Sequence, residues 1–169
     1  MQISLIVAVS ENGVIGYRNR LPWNVKGEQQ IFKQESLNRW ILVGRRTYEQ
    51  IKNLKNRKFV VLSKTIKTKE KENLKIFSSL QNLLKTMPKF TDRLIVAGGE
   101  KIYKQLIEYA DTIHLSTIHS KVLGDKYFPP IPKEFSPIFT KYFSSNIDYT
   151  YRVLVRNMGI DKKVELKNL

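Results

Sequence analysis

LIVAGGEKIYKQLIEY, residues 94–109, reads as a buried strand from Leu94 to Ala97, a break at Gly98-Gly99 and a helix from Glu100 to Tyr109. A short apolar run bounded by glycine fits a strand covered on both faces of a parallel sheet. WILVGRRTYEQI, residues 40–51, repeats the pattern: a strand Trp40 to Val43, Gly44, and a helix Arg45 to Ile51. Working outward, Gln2 to Val9 is a further continuous apolar run, Glu28 to Leu37 has helical spacing, and Phe59 to Leu62 and Ile76-Phe77 are strands. Ser79 is placed to cap a helix running through Lys85. Thr112 to Ile118 alternates into another strand, and two more, Phe139 to Phe143 and Tyr149 to Arg156, follow the prolines at 129, 130 and 132 with no helix between them. Strand–helix alternation closed by a hairpin-like pair predicts an α/β sandwich with a mostly parallel sheet and an antiparallel edge.

Two segments resist assignment to either element. Glu11 to Trp23 carries Gly13, Gly16, Asn19 and Pro22 and reads as one long irregular loop, a class that is usually functional or disordered. Its apolar Val14, Ile15, Leu21 and Trp23 give it side chains to dock, so it reads as a binding lid. Lys64 to Lys75 is polar and charged and reads as surface loop.

With 169 residues the chain fits one domain, and the absence of cysteine excludes disulfides, thiol nucleophiles and thiolate metal sites. His114 and His119, the two histidines, match no common metal-ligand spacing and read as structural, so no metal is expected. The longest apolar run, Leu5 to Val9, is far below the ~20 residues of a membrane span. The start, lacking a basic leader and a cleavage site, reads as the first strand of a cytoplasmic protein. Thirty Lys and Arg against fifteen Asp and Glu give a net charge of +15, concentrated from Lys52 to Lys75. Such an excess fits a polyanionic partner, either nucleic acid or a phosphorylated or carboxylated small molecule, and equally a merely solvated basic surface.

Four constellations carry chemistry. Glu28 falls on the same helix side as Ile31 and Phe32. It either loses solvation there, which raises its pKa, or points to water as a first-turn acid complementing the helix dipole. Gly44-Arg45-Arg46-Thr47 and Gly98-Gly99-Glu100 each put glycine at a strand end that opens a helix, a corner suited to phosphate and also to any tight turn. Two such corners in one small α/β chain are economically explained by an extended, multi-phosphate cofactor. Arg57 and Lys58 before the strand at 59–62, and Ser63 and Lys64 after it, can grip separate anionic groups or simply lie exposed.

Together these segments resemble dihydrofolate reductase from Ile3 to about Arg156. The carrying motifs are Val14-Ile15-Gly16, Leu21-Pro22-Trp23-Asn24, Phe32-Lys33, Val43-Gly44-Arg45-Arg46-Thr47, Asn56-Arg57-Lys58, Ala97-Gly98-Gly99, Lys101-Ile102-Tyr103, Gly124-Asp125 and Phe128-Pro129. Lys26-Gly27-Glu28-Gln29, Ser116-Thr117-Ile118 and Ser145-Asn146-Ile147 look more narrowly like the plasmid-borne type I trimethoprim-insensitive enzymes. The resemblance implies a three-layer sandwich: a mostly parallel eight-stranded sheet with an antiparallel C-terminal edge strand, flanked by about four helices. It implies a domain over 1–157 with a polar tail at 158–169, expected to lack order. It also implies NADPH-dependent reduction of 7,8-dihydrofolate to tetrahydrofolate, antifolates as inhibitors, a monomer, and neither a membrane nor a specific nucleic acid as partner.

Carried over residue by residue, the resemblance makes Glu28 the acid that binds the pterin and favours N5 protonation. Ser116 supports that acid, Trp23 holds an ordered water, and Leu21 lies on the mobile loop over the nicotinamide. The substrate channel takes in Ile6, Val7, Gln29, Phe32, Lys33, Ile51, Leu54, Ala97 and Tyr103, with Arg57 for the α-carboxylate. Arg45, Ser63 and Lys64 correspond to the 2′-phosphate site, and Arg46, Thr47, Gly99, Glu100, Lys101 and Ile102 flank the pyrophosphate. Ala8, Ile15, Gly16, Asn19, Gly44, Leu62, Tyr103 and Gln105 complete the cofactor contacts, and Gly98-Gly99 is expected to be a cis peptide. Departures are Glu28 where bacterial relatives have Asp, Gln29 at an often apolar position, Glu100 where a small residue is frequent, and a 52–56 loop without the usual prolines. Glu28 and Gln29 together motivate the expectation that trimethoprim binds poorly. A pyrimidine reductase of the same fold and a basic nucleic-acid-binding module are the alternative readings.

Overall fold

The computed structural model describes residues 1–157, and the polar tail at 158–169 lies outside the described residues. The strands are β1 (Gln2–Ser10), β2 (Val14–Gly16), β3 (Trp40–Gly44), β4 (Lys58–Leu62), β5 (Leu74–Phe77), β6 (Arg93–Val96), β7 (Thr112–Ile118), β8 (Lys126–Tyr127), β9 (Phe135–Phe143) and β10 (Tyr149–Arg156). The helices are α1 (Glu28–Ser36), α2 (Arg45–Ile51), α3 (Leu80–Thr86) and α4 (Glu100–Leu106). Single 3₁₀ turns extend α3 and α4, at Met87–Lys89 and Ile107–Tyr109. Ser79 caps α3 by accepting a hydrogen bond from the Asn82 amide at 3.2 Å, as its position before the helix predicts.

Eight strands form one sheet in the order β5-β4-β3-β6-β1-β7-β10-β9. Every pairing from β5 to β7 is parallel, whereas β10 runs antiparallel to both β7 and β9. The antiparallel C-terminal strand therefore stands one place in from the edge, which β9 occupies. Side chains alternate across the sheet with period two. Leu5, Leu42, Val60, Val96 and Ile113 pack towards α3 and α4, while Ile41, Val43, Phe59 and Val61 pack towards Phe32 of α1 and Tyr48 and Ile51 of α2. The result is the expected three-layer sandwich.

Several boundaries shift by one to three residues from the sequence expectation, and three differences are larger or have a clear physical cause. Leu74 and Lys75 belong to β5 and not to the preceding loop, because Leu74 is buried against Phe59 and Val61. β9 begins at Phe135, through Pro137, at a register shift opposite Val153/Leu154. Proline is tolerated there because an edge strand and a bulge both spare the donor it lacks. The loop from Glu11 to Trp23 contains β2, which pairs with β8 in a separate two-stranded sheet.

That small ribbon fixes where the loop crosses the molecule. Val14 is fully buried, and a Cβ on Gly124 would land inside its side chain. The Asp125 amide donates to the Gly16 carbonyl at 3.0 Å and the Phe128 amide to the Gly13 carbonyl at 3.0 Å. Gly124→Ala is therefore expected to destabilise the protein by about 1–3 kcal/mol through overpacking. The thermal midpoint should fall by about 2–4 °C per kcal/mol, and Val14→Ala added to it should recover part of the loss. An unchanged midpoint in Gly124→Ala would contradict the packing account.

Candidate active site

The strand ends and the loops that follow them enclose a cleft of about 1390 Å³. Drug-sized ligands occupy pockets of roughly 300–1,000 Å³, so this one has room for a pair of ligands side by side. Its walls come from β1, α1, α2, the ends of β3, β4 and β6, α4 and the loop carrying Ile15 to Leu21.

Glu28 forms the acidic point of this cleft. It opens α1 directly after Gly27, whose φ of 89° is left-handed backbone that favours glycine, and where a Cβ would also press on the Tyr149 hydroxyl at 3.3 Å. Only 9% of Glu28 is exposed, and Ser116, buried on β7, lies beside its carboxylate. Burial drives the Glu28 pKa above the ordinary value, with the Ser116 hydroxyl pulling partly the other way. No cation pairs with it among the described ion pairs. Of the two readings open at the sequence level, the desolvated carboxylate is the one realised.

Beside it, the Tyr103 hydroxyl donates to the Ile6 carbonyl at 2.6 Å, and burial, with Glu28 nearby, pushes this phenol far above its usual range. Ile6, Val7, Phe32, Ile51 and Leu54 bring apolar surface to the same half of the cleft, with Gln29, Lys33 and Ala97 on its wall. Arg57 sits at the outer end, before β4, and its orientation is over-determined. Its Nη1 donates to the Lys55 carbonyl at 2.7 Å, its Nη2 to the Lys33 carbonyl at 3.2 Å, and its Nε to the Ser36 hydroxyl at 3.3 Å. A guanidinium held by three acceptors is pre-organised to meet an anion.

The other half of the cleft is built on the two glycine corners. The Gly44 amide donates to the Gly98 carbonyl at 2.9 Å, and the Gly98-Gly99 peptide is cis. Cβ atoms would meet Ile102 Cγ1 at 3.2 Å from Gly44 and Thr47 Oγ1 at 3.5 Å from Gly99. The starts of α2 and α4 therefore face one another across a narrow gap. Arg45, Arg46, Leu62, Ser63, Lys64, Glu100, Lys101 and Gln105 line this half, and Ala8, Ile15, Gly16, Asn19 and Leu21 close it from the loop side. Gln50 of α2 donates to the Asn19 carbonyl at 2.7 Å, tying the loop to the far wall, while Leu21 stays half-exposed at 52%. Glu100 is paired with Lys104 at 2.9 Å, which offsets part of its negative charge.

Eight cations (Arg20, Lys33, Arg45, Arg46, Arg57, Lys64, Lys101 and Lys126) line the cleft against two carboxylates, Glu28 and Glu100. The site thus concentrates the basic excess of the chain and attracts polyanions.

Of the residues singled out by sequence, Ser116, Trp23, Lys58 and Gly98 are off the wall, Lys58 lying instead over the Trp40 ring. Ser116 reaches the site through Glu28, whereas Trp23 is half-buried behind it, packed against the Val25, Ile118 and Tyr149 cluster. Arg20, Gln30, Gln50, Thr65, Ser78, Ser79, Leu80 and Lys126 line the cleft without having been singled out. For Ser78 to Leu80 a signal existed, since they follow a parallel strand at the edge where α/β sheets bind ligands. Both histidines are bonded within the fold, His114 to Arg93 and Tyr151 and His119 to Thr150.

A folded-state pKa above the unfolded one adds stability that is full below the unfolded value and is lost as pH rises through the folded one. For Glu28 that loss begins above the ordinary value of 4.5. Glu28→Gln is therefore expected to match the wild type in thermal midpoint at about pH 4 and to exceed it increasingly towards about pH 8. Midpoints measured across that range that stay parallel would contradict the burial account.

The family model for dihydrofolate reductase matches residues 2–157. Dihydrofolate reductase type 1 of Escherichia coli is 48% identical over 153 residues, covering 90% of this chain and 98% of that protein. Dihydrofolate reductase type 6 of Proteus mirabilis is 46% identical with the same coverage. A solved structure of dihydrofolate reductase from Enterococcus faecalis, complexed with NADP(H) and RAB-propyl, superposes with a TM-score of 0.83 at 26% identity, covering 93% of this chain and 97% of that one. A fold, a cleft and a relative at almost half identity thus converge, and the chain belongs to the dihydrofolate reductase family.

Proposed function

We propose that the protein reduces 7,8-dihydrofolate to 5,6,7,8-tetrahydrofolate with NADPH, acting as a monomer in the cytoplasm. The observation that carries this reading is one buried, unpaired carboxylate at the inner end of a cationic, two-lobed cleft. A reaction that needs one proton and one hydride requires an acid whose pKa is raised, together with a hydride donor, and no nucleophile.

The glycine corners fit a dinucleotide: a Cβ at Gly44 or Gly99 would narrow the gap, and Arg46, Thr47 and Lys101 stand around it. Arg45, Ser63 and Lys64 would hold a 2′-phosphate, and Ala8, Ile15 and Gly16 a nicotinamide. When bound there, NADPH supplies the hydride that passes to C6 of the pterin. The chain itself does the rest. Glu28 accepts hydrogen bonds from the pterin 2-amino group and ring nitrogen, and so anchors the ring and favours protonation at N5. Ser116 holds that carboxylate in one rotamer, and Leu21 closes the loop over the reacting atoms to exclude water. Phe32, Ile51 and Leu54 enclose the aminobenzoyl group, and Arg57 meets the α-carboxylate. Trp23, packed against the Val25, Ile118 and Tyr149 cluster, holds an ordered water through its indole N–H.

Relatives at 46–48% identity are all named dihydrofolate reductases, which favours this reading over a pyrimidine reductase or a nucleic-acid-binding module. The purified protein is expected to oxidise NADPH only when dihydrofolate is added. Arg57→Leu should raise the KM for dihydrofolate by about 10–100-fold, the ~1.5–3 kcal/mol of a charge-assisted hydrogen bond, and leave that for NADPH unchanged. No turnover by the folded wild type would overturn the assignment.

Antifolates are expected to act as inhibitors, trimethoprim poorly. Support comes from Glu28, one methylene longer than aspartate, from Gln29 on the cleft wall, and from the numbered type enzymes among the relatives. Trimethoprim titrations should give inhibition constants in the micromolar range or weaker, and nanomolar inhibition would contradict the expectation.

A further inference from the structure

The far end of α1 is tied down by a polar cluster for which the site described above has no use. Glu35 lies seven residues after Glu28, two turns along the same helix face. Arg93, at the start of β6, reaches beneath it. Its Nη2 lies 3.3 Å from Glu35 Oε2 and 3.1 Å from His114 Nε2, and its Nε lies 3.3 Å from Ser4 Oγ. His114 Nδ1 is in turn 2.7 Å from the Tyr151 hydroxyl. Arg93, Ser4, His114 and Tyr151 stand on β6, β1, β7 and β10, four consecutive strands of the sheet.

A guanidinium can only donate, so His114 Nε2 accepts and its proton is on Nδ1, directed at Tyr151. Burial keeps this imidazole below its ordinary pKa, with Glu35 opposing and Arg93 and Arg39 reinforcing. Ser4 and His114 are 2% and 6% exposed, so the inner part of the cluster is shielded from water, while the Arg93–Glu35 pair above it is partly open.

The same helix carries both ends of the substrate half of the cleft. Glu28 begins it, and the Lys33 carbonyl and Ser36 hydroxyl near its end supply two of the three acceptors that seat Arg57. α1 itself buries little: Glu28 and Ser36 alone are fully covered, with Ile31 and Phe32 half-buried. Its apolar grip on the sheet is therefore modest, and the cluster under Glu35 adds a polar tie that joins it to the sheet. The cofactor half rests on α2, α4 and the ends of β3, β4 and β6; the first four carry no residue of the cluster, and on β6 Arg93 stands at the opposite end of the strand from the Gly98-Gly99 corner.

We propose that Glu35, through Arg93 and His114, is a positioning residue that fixes the height and register of α1 on the sheet. It thereby sets the distance of Glu28 from Ser116 and the seat of Arg57. The inference rests on the dihydrofolate reading for its kinetic consequence, though not for its structural one.

Glu35→Ala, Glu35→Gln and Arg93→Lys separate positioning from plain stability. Glu35→Ala is expected to raise the KM for dihydrofolate about 10-fold, a misplacement effect, while the KM for NADPH stays within about twofold. The Glu28 titration, followed by carboxyl ¹³C NMR without ligand, should move down towards the ordinary glutamate value as the helix lifts. Glu35→Gln keeps an acceptor for Arg93 and should recover most of both effects. Arg93→Lys cannot span Ser4, Glu35 and His114 together and should behave like Glu35→Ala if that variant folds poorly. A lowered thermal midpoint with the wild-type Glu28 titration and dihydrofolate KM would overturn the proposal, as would equal rises in both KM values. A wild type without turnover would sink the dihydrofolate reading alone, leaving the Glu28 titration to decide on the clamp.

Discussion

A carboxylate that is buried without a counter-charge is expensive, and Glu28 is held in that condition by geometry. Gly27 turns the chain in left-handed backbone so that α1 begins inside the molecule, and the Ser116 hydroxyl beside the carboxylate offsets only part of the effect of burial. One neutral donor is too little to compensate a full charge, so the group shifts towards its protonated form. The other site elements are arranged around that point: Tyr103 braced on the Ile6 carbonyl, Phe32 one turn along the helix, and Arg57 seated on the helix end. Stability is given up at this position, as is common where function requires it.

The surrounding charge has the opposite sign and a different purpose. Cations line the cleft along its length, and of its two carboxylates Glu100 is paired with Lys104. A cleft of this kind gathers anions from solution, and the gain in capture rate declines with ionic strength. The glycine corners contribute shape more than charge. Gly44 and Gly98 are bonded across the gap, so two strand ends and two helix starts meet where any side chain would intrude.

Much of this was legible in the sequence, because it is written in short-range patterns. Apolar runs ending in glycine located β3 and β6, and Glu28 could be placed on the apolar side of α1 by helical spacing alone. What periodicity could not show is tertiary. β2 and β8 are too short to display alternation, and they exist because Gly124 lets the chain close over Val14. Pro137 reads as a breaker, and only the bulge opposite Val153/Leu154 makes it compatible with β9. Trp23 carries a family motif, but its packing against Val25, Ile118 and Tyr149 joins residues up to 126 positions apart. The bonds of Glu35, Arg93 and His114 join residues up to 89 positions apart in sequence, on elements whose adjacency is fixed by the tertiary fold.

In the proposed reaction one carboxylate handles the proton and anchors the pterin, and this division from a cofactor half that works without it is what defines the site. It is tested most directly by comparing the wild type with Glu28→Gln for turnover of NADPH and dihydrofolate at neutral pH, alongside NADPH affinity. Turnover is expected to fall by about 10²-fold or more, the scale of general acid–base catalysis, with NADPH affinity unchanged. Turnover that survives the substitution, in a protein that still binds both ligands, would contradict the account.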